Sequence, residues 1–404
     1  MTFSSYAAVL KNRDFAKLWA SQLCSQLTNY LLSFVILIRT FELTGSSAAV
    51  SLIILAFGLG TVIFGGVAGV YADRFDRKWI LTFINFAQAA CVALYLLSYE
   101  IWALVLITFI YSSLNQFYLP AEAPSIPDLV APDQILIANS YFAFTGSAAL
   151  IVGFAAAGPA LLAFGPKGVY MSAVTLLILA GFATLSLPNL KPKQTVSMSH
   201  PLDQVWHGFK EGLSHFWKNK LLHFPLLSLL SVQIITGMMI TIAPAFIEKM
   251  IQVKLERNSL LVIAPVGLGI LVGSLLLGWE TRFLEKSKIV LTGFFGMGTM
   301  IFLLSFMPLF PQRMLYYIAV AFFMGVFNAH IFAPSHSSIQ MYAADAVRGR
   351  IYASLYTLLQ ICATLPTVII GVLADRVALV YVVGGLGLAM ILLGSWLGTR
   401  VERV

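Results

Sequence analysis

The sequence predicts an all-α membrane protein, twelve transmembrane helices arranged as two pseudo-symmetric six-helix bundles. Composition is the first reason: 59 % of the 404 residues are hydrophobic and 10 % are charged, whereas a soluble domain carries roughly 25 % charged residues. So few charges cannot cover a water-facing surface of this size, which leaves lipid as the solvent for much of the chain. The second reason is the recurrence of apolar runs of about 20 residues, each able to cross a hydrocarbon core of roughly 30 Å as a helix. The third is an internal repeat that divides the chain in two.

The runs fall near 17–40, 47–72, 79–99, 101–120, 135–163, 168–187, 224–247, 259–279, 288–308, 314–333, 350–373 and 378–398. Barrel strands would alternate strictly over about 10 residues, and no such pattern occurs. Lys11, Arg13 and Lys17 ahead of the first run resemble the start of a signal peptide, with Ser46-Ser47-Ala48 as a cleavage site. The run is too long for that and a second follows at once, so a retained first helix is expected. Cys24, Cys91 and Cys362 lie far apart inside apolar runs, as small buried residues without metal or redox spacing.

Charge gives the orientation. With the N-terminus in the cytoplasm, 18 of the 25 Lys and Arg fall on that side, from Lys11 through Arg74, Lys193, Lys210 and Arg348 to Arg403. This positive-inside bias puts both termini in the cytoplasm of a multi-pass protein of the cell (inner) membrane. It also accounts for a net charge of +8 without a nucleic-acid partner.

The longest polar stretch separates residues 1–187, an N-terminal six-helix bundle, from residues 224–404, a C-terminal one. The linker between them, 188–223, contains an amphipathic helix. Leu202, Val205, Trp206, Phe209, Leu213, Phe216 and Trp217 follow helical spacing, with Asp203, His207, Lys210, Glu211 and Lys218 opposite. Such a helix lies in the cytoplasmic interface and ties the halves together. His200, His207, His215 and His223 are spaced too widely to share a metal, so none is expected. The repeat itself shows in Gly65-Gly66 before Arg74-Phe75 and Lys78, echoed 208 positions later by Gly273-Ser274 before Arg282-Phe283 and Lys286. The stretch from Pro120 to Pro132-Asp133 is echoed by Pro334 to Ala344-Asp345. Duplication of this kind is common among transporter folds.

Between the second and third runs stands Gly69-Val70-Tyr71-Ala72-Asp73-Arg74-Phe75-Asp76-Arg77-Lys78. Gly65 and Gly69, one turn apart, permit close helix approach. Asp73 can receive the positive end of a helix or an arginine, and Arg77 can bridge to an acid such as Glu122 or Asp128. The string resembles the signature loop of the major facilitator superfamily, and the resemblance extends over essentially the whole chain. It implies that Gly65, Gly69, Asp73, Arg74, Arg77, Lys78 and Asp128 form a latch closing the cytoplasmic side in one of two alternating states. A loop that merely sets topology explains Arg74, Arg77 and Lys78 but neither Asp73 nor the glycines.

Two stretches are similar to the enterobactin-exporter and macrolide-efflux group: Leu10 to Phe15 leading to Leu18-Trp19 and Ser25-Gln26-Leu27, and Pro120 to Asn139 with Asp128-Leu129-Val130. Gly153 and Gly158-Pro159 resemble the Gly-Pro element of exporters, a kink that packing must tolerate; a kink without directional meaning is the alternative. The group often has an acid where this chain has Asn29, and many drug–proton antiporters have an arginine in the fourth run, which this chain lacks.

Polar side chains in hydrocarbon are costly unless they face a cavity or another helix. Runs one, four, seven and ten, which line the central cavity in this superfamily, carry Gln22, Gln26 and Asn29; Asn115 and Gln116; Gln233; and Asn328 and His330. Gln26, Asn29, Asn115, Gln116, Gln233, Asn328, His330 and, from another run, Gln360 are therefore the candidate substrate contacts. The alternative for each is a helix–helix hydrogen bond worth about 0.6 kcal/mol. Glu122 and His330 are the candidates for proton carriage. Gly267-Leu268-Gly269 with Gly273, and Gly384-Gly385-Leu386-Gly387, lie within apolar runs, where close helix packing accounts for them. No nucleophile–base cluster, phosphate loop or metal-ligand spacing occurs, so neither an enzyme nor a cofactor is expected.

The reading is a secondary active exporter of small amphiphilic molecules, siderophore-like or drug-like, working by alternating access as a monomer in the bilayer. The alternatives are a metabolite importer, a lysophospholipid flippase and a non-transporting sensor of the same fold. The topology is testable by impermeant cysteine labelling of intact cells. Positions 74, 210 and 348 are expected to be protected and positions 167 and 254 labelled; the reverse pattern at 210 and 254 refutes the orientation.

Overall fold

A hydrocarbon solvent offers no hydrogen bonds, so each apolar run must pair its backbone groups internally, as a helix does. The structure, a computed structural model, describes residues 9–192, 201–253, 255–343 and 348–401. Lys193, His200, Lys254, Ala344-Asp345 and Arg403 lie outside the described residues. Contacts group the chain into two compact units, one of residues 1–39 and 56–202, the other of residues 40–55 and 203–404.

The helices of the first half are α1 (Arg13–Thr44), α2 (Ser47–Ala72), α3 (Arg77–Tyr95), α4 (Ile101–Asn115), which continues through short helical turns to Leu129, and α5 (Ile135–Leu185). An amphipathic α6 (Pro201–Lys218) follows, then α7 (His223–Phe246), α8 (Leu255–Glu280), α9 (Lys286–Leu304), α10 (Arg313–Tyr342), α11 (Arg348–Arg376) and α12 (Leu379–Val401). Among the described residues 11 segments are long and apolar enough to span a membrane. The twelfth crossing is inside α5. Its 51 residues would measure about 77 Å if straight, more than twice a core of roughly 30 Å.

α5 is broken at Gly165, with φ 63° and ψ 174°. Pro166 disfavours helical backbone at the residue before it, and glycine, lacking a Cβ, accepts the left-handed φ. At the expected kink, Gly158 and Pro159 both keep helical dihedrals, and Gly165 is the interior residue that departs. A second positive φ, at Gly45, turns the chain from α1 into α2. The first turn of α2 is then capped from a distance. Asp375 accepts hydrogen bonds from the backbone N–H of Ser47 at 2.7 Å and of Ala48 at 3.1 Å, and from the Ser46 hydroxyl. A carboxylate so placed satisfies otherwise orphaned donors at the positive end of the helix.

The expectation that Gly65 and Gly69 bring helices together is corrected. A Cβ at Gly69 would meet nothing within 4 Å, and one at Gly65 only the Gln116 Oε1 at 4.0 Å. Close approach in this unit occurs instead at Gly60 against Ser112, Gly153 against Tyr30 and Leu31, and Gly181 against the Phe86 ring. In the other unit, Gly269 and Gly325 set α8 backbone against α10 backbone, with Gly273 against Val326 and Ala329. Gly298 and Gly387 do the same for α9 and α12, whereas Gly267 and Gly385 face open space. Small residues let helices approach until dispersion forces act between main chains, which is how membrane helices associate without a hydrophobic drive.

The seam is testable. Gly325→Val should cost about 1–3 kcal/mol by overpacking, read as a lowered unfolding midpoint of the detergent-purified protein. Gly69→Ala, with no atom to displace, should leave the midpoint unchanged.

Candidate transport site

The loop after α2 is organised by an acid that is not Asp73. Asp76 occupies the N-cap of α3, where its side chain accepts from Lys78 N–H at 3.1 Å. The same Oδ1 accepts the backbone N–H of Leu190 at 2.9 Å, and Arg77 N–H donates to Leu190 O at 3.2 Å. The segment leaving α5 is thereby clipped onto the start of α3. The guanidinium of Arg77 then reaches the turns after α4, donating Nη1 to Asp128 Oδ2 and to Pro124 O, each at 3.1 Å. Of the two acids open to it on sequence grounds, it takes Asp128. Arg77 and Asp128 are only 11 % and 18 % exposed, so this pair is largely desolvated and its two charges depend on each other. Asp73 and Arg74 are exposed, and the Lys78 ammonium lies 5.4 Å from the centre of the Trp79 ring.

Within the same unit a polar network is buried among α1, α3 and the turns after α4. Ser21 Oγ pairs with Tyr118 Oη at 2.9 Å and accepts from Asn85 Nδ2 at 3.1 Å. Gln88 donates to Asn115 Oδ1 at 3.3 Å, and Gln22 donates to Phe142 O at 3.3 Å. Glu122, one turn after Tyr118, is 1 % exposed, and its Oε1 has no hydrogen-bond partner; neither do the carbonyl oxygens of Gln22, Asn85 and Gln88. A buried acceptor left unpaired carries its full desolvation cost, so this cluster is poised to take up a donor or a proton. Gln26, Asn29, Asn115 and Gln116 are half-buried in this unit, and Gln116 donates to Ser112 O on its own helix at 3.2 Å.

In the other unit Gln233, Asn328 and Gln360 are half-buried. His330 differs from the sequence expectation. Rather than presenting its ring to a cavity, it is buried against α8, with Nε2 2.8 Å from Glu280 Oε2 and Nδ1 2.7 Å from Val326 O. His336 instead joins an aromatic group, its ring centroid 5.4 Å from Phe332, 5.6 Å from Tyr352 and 6.1 Å from Tyr356. A cavity of about 470 Å³, lined by residues such as Phe224, Pro225, Lys286, Ser335 and Tyr342, contains none of the expected substrate contacts. α6 belongs to this unit from Asp203 onward. It docks on α11 with Gly212 against Arg350 and Ser354, Glu211 paired with Arg350 at 2.6 Å, and Phe216 buried.

Residues 18–366 match the Major Facilitator Superfamily. The chain belongs to that superfamily. Macrolide efflux protein A of Streptococcus pyogenes is 23 % identical over 377 residues, which cover 90 % of each chain. The uncharacterized MFS-type transporter YfiS of Bacillus subtilis (strain 168) is 28 % identical over 214 residues; that match covers 51 % of this chain and about half, 49 %, of the relative. Among solved structures, the nucleoside transporter NupG superposes with a TM-score of 0.78 at 11 % identity, over 96 % of this chain and 99 % of that one. A bacterial homologue of the lysosomal transporter Spinster gives 0.69 at 12 % identity, over 99 % and 96 %. At such identities these two structures speak for the fold alone.

For a major facilitator protein, the charged loop of this chain holds one residue that the motif reading passed over. Asp76 carries its own signal, an acid directly before a helix start. Glu280 also went unsingled, although Thr281 beside it stands 208 positions after Asp73. The Arg77–Asp128 pair can be weighed directly. A double-mutant cycle of Arg77→Ala and Asp128→Ala, by equilibrium unfolding in mixed micelles, should give a coupling energy of about 1–3 kcal/mol. Asp76→Ala should cost about 1 kcal/mol through the lost cap. A coupling indistinguishable from zero would mean that the pair contributes nothing to the unit's stability.

Proposed function

We propose that this superfamily member is a secondary exporter of small amphiphilic molecules, siderophore-like or drug-like, of the enterobactin-exporter and macrolide-efflux branch. The observation that carries the reading is the similarity to Macrolide efflux protein A along nine tenths of both chains. In this reading the protein is a monomer in the cell inner membrane, with both termini cytoplasmic. The bundles 1–187 and 224–404, joined by the linker 188–223, alternate access to the substrate.

The Arg77–Asp128 pair, with Asp73, Arg74 and Lys78 beside it, is the latch of this cycle. Separating a largely buried pair is costly unless water reaches both charges, so such a tie favours a fully closed or a fully open state over intermediates. The half-buried amides Gln26, Asn29, Asn115, Gln116, Gln233, Asn328 and Gln360 supply neutral donors and acceptors to the substrate. The buried carboxyl among the sequence candidates is Glu122, which is suited to hold a proton as a neutral acid. A permanent cation cannot neutralise itself by losing a proton and would need a full counter-charge in a desolvated path. Neutral, zwitterionic or anionic substrates are therefore preferred.

The test uses two probes that differ only in a trimethylammonium against a tert-butyl group, followed in efflux from cells lacking their own pumps. The tert-butyl probe should leave at least about tenfold faster, equivalent to about 1.4 kcal/mol. Faster export of the quaternary probe, abolished by Glu122→Gln, would overturn the preference and make Glu122 the cation site. Movement of lysophospholipid in reconstituted vesicles, with neither probe moved, would replace the exporter reading by a flippase.

A further inference from the structure

The ring of His330 lies between two acceptors. Nδ1 is 2.7 Å from Val326 O, one turn back on α10. A carbonyl oxygen can only accept, so Nδ1 carries a proton. In a neutral ring Nε2 is then a bare lone pair, yet Nε2 stands 2.8 Å from Glu280 Oε2. Two lone pairs are not held at that separation. A proton lies between them, in an imidazolium–carboxylate pair or in a carboxylic acid donating to a neutral imidazole. The two forms hold the same number of protons, and the contact exists only with that proton bound.

The surroundings leave the proton to this pair. On α9, Gly293 faces the Cβ of His330 with no charge. The ionic groups of its first turn are engaged elsewhere: Lys286 donates to Ser337 Oγ at 3.0 Å, and Lys288 lies 3.5 Å from Glu285. α7 has no titratable side chain between Phe224 and Phe246. Arg282 follows Glu280 in an exposed turn, and His336 on α10 packs against Tyr352 and Tyr356 of α11. Along α8 the same interface is the glycine seam with α10, so the ion pair terminates a contact that is otherwise backbone against backbone.

We propose that Glu280 and His330 form a single-proton site whose occupancy ties the end of α8 to α10, and that this proton is the one exchanged for substrate. Release of the proton leaves a lone pair facing a carboxylate, so the end of α8 separates from α10; uptake restores the tie. The proton moves to and from solvent, and no bond other than N–H or O–H changes. The exchange rests on the exporter reading above; the proton site does not.

The site is tested on the full-length protein in nanodiscs with 15N-histidine. At neutral pH the spectrum should contain one ring with Nδ1 protonated and Nε2 sharing a proton, absent in His330→Gln. Glu280→Gln can donate an amide N–H to Nε2, so it should convert that ring to the neutral Nδ1–H form while keeping the contact. A bare Nε2 in the wild type, or a signal unaltered by Glu280→Gln, overturns the site. The exchange is tested with the tert-butyl probe in vesicles under a one-unit pH gradient, where one-for-one coupling gives about tenfold accumulation. Both variants should reduce that ratio to about one. A ratio kept near tenfold in both variants overturns the exchange. A wild type that moves no probe refutes the exporter reading and, with it, the exchange, while the 15N spectrum still decides the proton site.

Discussion

Hydrocarbon cannot satisfy a hydrogen bond, and nearly every local choice in this molecule follows from that. Backbone groups are closed within helices. Where Pro166 and Gly165 interrupt one, the break falls at a junction between two crossings. The hydroxyls of Ser33, Thr108, Ser228 and Thr241 each fold back on a carbonyl one turn earlier in their own helix. Helices that cannot gain by hiding apolar surface gain by bringing main chains into contact, at Gly269, Gly325, Gly298 and Gly387. A polar atom that escapes all these solutions is conspicuous.

Two buried polar sites differ in kind. Around Glu122 the surplus is of acceptors: one carboxyl oxygen and three amide oxygens are buried without partners. At Glu280 and His330 the balance is met, but only by a particle that can leave. The first arrangement has fixed geometry and unmet demand, as expected where something arrives from outside the protein. The second has met demand and a geometry that depends on its occupant. In the proposed cycle the first site receives and the second switches.

Much of this was legible from residue order. The membrane runs follow from composition, and Arg77 could be seen to need an acid on the far side of the fourth run. The amphipathic stretch 202–217 forms its helix, and Gly212 and Phe216 seat it on α11 and nearby residues. Motif reading favoured Asp73 because the string is familiar, whereas the structural work at the loop falls to Asp76, whose task of capping is generic. Glycine pairs were equally deceptive. Gly65 and Gly69 have helical spacing, but spacing alone does not say which face meets a neighbour; Gly60, one turn and a residue earlier, points at Ser112. The Glu280–His330 contact joins residues 50 positions apart on two helices, and no one-dimensional pattern pairs them.

The turn at Gly165 has a consequence for biogenesis. Two crossings joined by a single non-helical residue have almost no loop to close, so little chain entropy opposes their pairing. For the 51 residues of α5, insertion of the two crossings as one hairpin is the expected route. The junction then offers a few exposed residues, Phe164 and Lys167 among them, rather than a free loop.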